Sequence, residues 1–272
     1  MLGRTETLLN KTLAHWREWS MVSENTPTKQ PQVIAQLTGG LTNQSFLVGR
    51  GDFKAVVRIN SFDSDSFAID RDRETLFLNM LQSTGCVPRL LYADSDTQVT
   101  QFLGGRCLTD NDLANPSLRA EVEGSLKQIQ AIILGNMPRR NYLEYSRSYS
   151  DQLSGFSDLE AIERAAMTID EADWQPVISH HDLLFENILY NDQGVYFIDW
   201  EYAALGHPLI DYLRVFGPKY CTSKADAGTV EALVAVFYTH ITLQKILRVN
   251  IVLSSVTITT TQITNYITTI QY

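Results

Sequence analysis

Residues 179–203 read SHHDLLFENILYNDQGVYFIDWEYA, and the fold is decided there. The runs ILY and VYFID flank the turn-forming Asn191-Asp192-Gln193-Gly194, which predicts a β-hairpin. Three polar residues interrupt the apolar pattern: Asp182, Asn187 and Asp199. Burying such groups is costly unless they have partners or a task. Asp182 and Asn187 sit five positions apart on the loop entering the hairpin, and Asp199 closes its second strand. A hairpin brings its ends together, so Asp199 can face Asn187. A carboxylate and an amide oxygen converging in this way suit Mg2+, a hard cation that prefers oxygen and shares phosphate oxygens. Asp182 is then left to contact a substrate hydroxyl, the arrangement that phosphoryl transfer requires. The bland alternative is a set of turn and cap residues, since Asx side chains crowd turns. Asp192 is read that way.

Upstream, "LTGGLTNQSFLV" places Gly39 and Gly40 between two strand-like runs, Val33–Leu37 and Ser45–Val48. Such glycines let backbone approach phosphates closely, although Gly-Gly also marks ordinary hairpins. A third run, "FKAVVRI", alternates and carries Arg58 in an otherwise apolar strand. A charge there needs a partner, and Glu74 on the following helix, "DRDRETLFLNMLQSTG", is the candidate. The alternative is a surface arginine on an edge strand and a solvated glutamate. Residues Thr5 to Trp19 read as an amphipathic helix, and "RLLYA" and "QVTQFL" as a hairpin around "DSDT". Beyond Gly104-Gly105 the pattern turns helical, with residues 188–199 as the sole strand-like interruption. A domain of residues 1–103 and another of 104–272 follow. The tail "NIVLSSVTITTTQITNYITTIQY" favours strand over helix, against the pattern around it.

Glycine turn, strand cation, helix glutamate, apolar hinge "QFLGG", H-x-D-x-x-x-x-N, then Asp: this is the order of a kinase fold. The chain resembles the choline/ethanolamine kinase, thiamine kinase and aminoglycoside phosphotransferase superfamily. The resemblance rests on "LTGGLTNQSFLV", "HHDLLFENILY" and "FIDWEYAALGHPLIDYLRVF" and covers about residues 33–216. It implies an α+β, protein-kinase-like fold of two lobes, with an antiparallel sheet in the first and helices in the second. It further implies a small-molecule kinase using ATP and Mg2+, with Asp182 as catalytic base and Asn187 and Asp199 as metal ligands. Arg58, paired with Glu74, would contact the phosphates. The Thr38–Ser45 loop, with Gly39, Gly40, Thr42, Asn43 and Ser45, would cover them, and Gln101 to Leu103 would meet adenine. His180 and Asp211 would support the catalytic loop.

Trp200, Glu201 and Tyr202 are the expected substrate contacts, making the acceptor a small cationic alcohol of the thiamine or choline/ethanolamine kind. Against this stands a reading in which Trp200 and Tyr202 are core residues. An aminoglycoside as acceptor, or a catalytically inactive nucleotide-binding protein, also fits the same motifs. The sequence departs from the pattern at Gln101, where an acidic residue is common. No tryptophan follows Trp200, leaving Phe216, Tyr220, Phe237 and Tyr238 as cage candidates. A protein substrate is disfavoured because Gly206-His207-Pro208 follows "IDWEYA" too soon for an activation segment.

Composition narrows the classes. A net charge of −9 and a pI near 5.0 argue against nucleic acid as partner. Cys86, Cys107 and Cys221 are scattered and odd in number, which fits a reducing cytoplasm. The charged N-terminal stretch lacks a signal-peptide core, and no apolar run reaches the roughly 18 residues of a membrane span.

Overall fold

The structure, a computed structural model, describes residues 2–20, 27–37, 43–61, 69–133, 135–150 and 159–237. Gly39, Gly40 and Thr42 of the expected phosphate loop lie outside the described residues, as do Tyr238 and the Thr-rich tail. The chain divides into two compact units. One is Met1–Ser64, Asp70–Ile132 and Phe185–Glu201; the other is Asp65–Ile69, Ile133–Leu184 and Tyr202–Tyr272. The division at residue 103 rests on the sequence pattern alone.

The first unit is built on a five-stranded antiparallel sheet of order β1-β2-β3-β5-β4. Its strands are β1 (Gln32–Leu37), β2 (Gln44–Arg50), β3 (Phe53–Ile59), β4 (Leu90–Ala93) and β5 (Thr97–Gln101). Strand alternation decides what β3 presents on each side. Ala55, Val57 and Ile59 join a buried cluster with Leu9, Leu13, Trp16 and Trp19 from α1 (Leu2–Ala14) and the turn after it. Each large apolar side chain so buried contributes roughly 1.5–3 kcal/mol. Arg58, between Val57 and Ile59, points the other way, towards α2 (Arg71–Leu81). That helix starts where Asp70 accepts a hydrogen bond from the Arg73 N–H, an N-cap. It buries Glu74, Phe77, Leu78 and Leu81, spaced as one helical face requires.

A small sheet, β6-β8-β9, completes this unit: β6 (Arg106–Cys107), β8 (Ile188–Asn191) and β9 (Gly194–Phe197). Gly105, at φ +90°, allows β6 to lie beside β8, because a Cβ there would strike the Tyr190 carbonyl. α3 (Pro116–Gln130) starts with the Asn115 cap and Pro116 in its first turn, and buries Leu118, Val122, Leu126 and Ile129.

The second unit contains α4 (Tyr142–Ser150), α5 (Leu159–Glu171), β7 (Val177–Ser179), β10 (Ala204–Gly206), α6 (Ile210–Phe216) and α7 (Pro218–Cys221). β7 and β10 pair antiparallel, Ala204 opposite Ser179. The strands β6, β7 and β10 correct the expectation of a single strand-like interruption beyond Gly105. They run two, three and three residues, too short for an alternating pattern to register.

Candidate functional site

In the first unit Arg58 is 8% exposed, so its charge needs a partner. Glu74, 1% exposed, receives it as a fork: Nη1 donates to Oε1 at 2.8 Å and Nη2 to Oε2 at 2.6 Å. Burial opposes both charges, and the pair overrides it. Glu74 is held below the usual carboxylate range, chiefly by Arg58, and Arg58 is raised above its usual value, chiefly by Glu74. Nη1 of Arg58 also reaches Oδ1 of Asp199 at 3.4 Å. A second arginine joins the group. Nη1 of Arg71 donates to Oε2 of Glu74 at 3.0 Å and to Oε2 of Glu201 at 3.1 Å.

Asp199 stands just past β9 with φ +64°. Ile198 N–H donates to the Asn187 carbonyl at 3.0 Å, so the hairpin register carries Asn187 to a position level with Ile198, next to Asp199. Three carboxylates, Glu74, Glu201 and Asp199, face two guanidiniums, and the surplus negative charge falls on Asp199. Its side chain keeps 40% of its surface open. Burial and then the Glu201 carboxylate raise its pKa, against the pull of the Arg58 and Arg71 guanidiniums. An accessible carboxylate with excess negative charge beside it, and an amide oxygen close along the backbone, fit Mg2+. Among the described residues no three His, Cys, Asp or Glu side chains form a metal cage. Mg2+ does not require one, since it takes one or two protein oxygens and completes its shell with phosphate and water.

In the second unit the loop leaving β7 carries His180, His181 and Asp182, which are 1%, 8% and 8% exposed. Asp211, on the first turn of α6, accepts from His180 N–H at 2.8 Å and His181 N–H at 3.1 Å. Burial pushes its carboxyl up to about 6, against the pull of those two donors. Asp182 N–H lies 3.3 Å from His180 Nδ1. His181 has φ +64°; it and Asp199 are the two described non-glycine residues with clearly positive φ. Such backbone costs on the order of 1 kcal/mol or more and persists where surroundings enforce it, often at functional sites. The enforcement is visible at His181. Its ring nitrogens lie 3.2 Å from the Ser179 carbonyl and 3.2 Å from the Tyr142 hydroxyl, and that hydroxyl accepts from His207 N–H at 2.8 Å. Gly206 faces the same ring, where a Cβ would come within 2.5 Å of it.

Arg58, Glu74 and Asp199 are thus brought together, and Asp211 and His180 form the support of the Asp182 loop. Ser45 pairs with Arg58 across β2 and β3. Gln101 ends β5, and the Leu103 carbonyl accepts from Asn191 Nδ2 at 2.9 Å. Asn43 donates from Nδ2 to Glu201 at 2.7 Å. The aromatic substrate face expected of Trp200 and Tyr202 is corrected: the two side chains are 2% and 0% exposed and lie in the core. Trp200 donates its indole N–H to the Phe197 carbonyl. Glu201, 3% exposed, is engaged by Arg71 and Asn43 instead of facing an open pocket. Arg71 escaped the sequence reading. Its place three residues before Glu74 was the available signal.

The family model for choline/ethanolamine kinase matches residues 34–211, which include both the Asp182 loop and Asp199. Ethanolamine kinase 1 of Mus musculus is 29% identical over 205 residues, covering 66% of this chain and 56% of that protein. The chain spans about half the length of the first curated relatives it matches. The crystal structure of choline kinase LicA from Streptococcus pneumoniae superposes with a TM-score of 0.65 at 17% identity, over 80% of this chain and 86% of that one. A thermostable mutant of aminoglycoside phosphotransferase APH(4)-Ia, in a ternary complex with AMP-PNP and hygromycin B, gives 0.62 at 16% identity, over 82% and 89%. These likenesses show the kinase-like α+β fold expected from the sequence.

Proposed function

The chain belongs to the choline/ethanolamine kinase family, and from that premise we propose that it transfers the γ-phosphoryl group of ATP to the hydroxyl of a small cationic alcohol, of the ethanolamine, choline or thiamine kind. The observation that carries this reading is the buried Arg58–Glu74 fork reaching Asp199, with Asn187 beside it on the hairpin. Asn187 and Asp199 would hold Mg2+, which supplies positive charge to the phosphate oxygens. Arg58, fixed by Glu74, presents a second positive charge to them. Asp182 takes the proton of the acceptor hydroxyl. The oxygen then forms its bond to the γ-phosphorus as the bond to the bridging oxygen breaks, and ADP leaves with that electron pair. Asp211 and His180 keep the Asp182 loop in place.

The preference for a cation is supported by the acidic surplus around Asp199 and by the net charge of −9. A cytoplasmic location belongs to the same reading. It is supported by the free cysteines Cys86, Cys107 and Cys221, and no described helix is long and apolar enough to cross a membrane. The test is ADP release with ATP and Mg2+ against ethanolamine, choline, thiamine and several aminoglycosides. Turnover with an amino alcohol or thiamine supports the assignment. Nucleotide binding without transfer to any of them would leave an inactive binding protein.

A further inference from the structure

The charged group described above closes on itself. Asp199, Arg58, Glu74, Arg71 and Glu201 alternate in sign, and both ends of the series lie in the tripeptide Asp199-Trp200-Glu201. Asn43 bridges the second end. Its Oδ1 accepts from Ser61 N–H at 3.1 Å and from Arg71 Nη2 at 3.2 Å, and its Nδ2 donates to Glu201 Oε2 at 2.7 Å. The amide orientation is dictated by chemistry. Reversed, it would set oxygen against carboxylate and NH2 against two donors. Asn43 is 8% exposed and Glu201 3%, so these bonds are made away from solvent, where a lost partner is costly.

The Arg58–Glu74 fork ties the first turns of α2 to β3 through one ion pair, beside the apolar burial of Phe77, Leu78 and Leu81. Arg71, one helical turn earlier on the same face, adds a second contact, to Glu201. Its two terminal nitrogens engage three acceptors, in Glu74, Glu201 and Asn43. The single ammonium of lysine does not reproduce that fork.

Resting on the kinase reading above, we propose that Asn43 and Arg71 act as a pair of positioning residues. They tie the chain ahead of β2 and the first turn of α2 to Glu201, and thereby set Asp199 for the metal–nucleotide complex. Neither needs to touch the reacting atoms.

The test uses the full chain with the variants Asn43→Ala, Arg71→Lys and Arg71→Ala. ATP binding is measured by calorimetry with and without Mg2+, alongside ADP release and a thermal melt. Asn43→Ala and Arg71→Lys are each expected to cut ATP affinity in Mg2+, and kcat, by about tenfold. The acceptor KM and the ATP affinity without Mg2+ should stay within about twofold. The double variant Asn43→Ala/Arg71→Lys should lose little more than the worse single, because the two act through one bridge. An Arg71→Lys protein that melts like the wild type yet shows the loss supports a positioning role. Wild-type behaviour of Arg71→Lys, or strict additivity, overturns it. Should Arg71→Ala not fold, the other two variants decide. A wild type that binds no ATP in Mg2+ overturns the kinase reading and this inference together. A wild type that binds and turns over, with variants that match it, overturns this inference alone.

Discussion

At the residue scale, the Asp182 loop has one expected chemical group and several residues that hold it. Replacing Asp182 by Asn removes the proton acceptor and keeps the shape. The expected outcome is a kcat lower by on the order of 10^2–10^4, with ATP affinity in Mg2+ unchanged. Stopped-flow turnover and calorimetry on the same sample check both halves. The buried groups around the loop set a pH dependence. Burial lowers His207 to about 4, so the unfolded chain, with an ordinary histidine, binds the proton more readily. Its contribution to stability is therefore present above pH 6.5 and lost as the pH falls towards 4. Asp211, raised to about 6, acts oppositely: its contribution is present in acid and lost as the pH rises through 6. His207→Asn keeps an acceptor for Leu209 N–H, which now bonds Nδ1 at 3.1 Å, and removes the titration. Urea unfolding between pH 7 and 5 should show the acid loss reduced, by up to about 1.4 kcal/mol per pH unit. An unchanged profile would clear His207 of the effect.

At the element scale, β3 and α2 are joined by a buried ion pair. Glu74→Gln leaves the Arg58 charge poorly compensated at 8% exposure. Losing one member of such a pair costs about 3–5 kcal/mol, more than the net worth of the pair itself. The double variant Arg58→Met/Glu74→Leu is expected to recover part of that stability and none of the ATP affinity, since it removes the buried charges together with the phosphate contact proposed for Arg58. Chemical denaturation and nucleotide titration separate the two outcomes. In the second unit, β7 and β10 meet where Gly206 faces the His181 ring. Gly206→Ala must displace that ring or the strand and should destabilise by about 1–3 kcal/mol. Because His181 immediately precedes Asp182, kcat should fall with the stability, and a variant of unchanged turnover would show that the ring yields without moving the loop.

At the scale of the whole molecule, charge is the quantity that bears on substrate. An excess of acidic residues gives a field that favours cationic acceptors, and it weakens as salt screens it. A matched panel of cationic, neutral and anionic alcohols, at fixed ATP and Mg2+, should rank by kcat/KM with the cations first. The advantage should shrink between low salt and about 0.5 M. A preference for neutral sugars would sink the cationic assignment and leave phosphoryl transfer standing. Chelating divalent metal should stop turnover, and Mg2+ should restore it.

The sequence by itself determined the hairpin, the Asp182–Asn187–Asp199 spacing, the strand arginine and the helix glutamate. Each is a short-range signal: strand alternation, turn residues and a charge stranded in an apolar run declare themselves within a few positions. Tertiary structure decided the rest. The bonds of Asn43 and Arg71 to Glu201 join residues 158 and 130 positions apart, and no local pattern selects one partner among many carboxylates at that range. The strands β6, β7 and β10 are too short to carry a period and form because β8 and each other's backbones offer them hydrogen bonds. Trp200 and Tyr202 look equally like a binding face or a core in the sequence, because an aromatic side chain serves either. Only packing settles it, and the fold buries both.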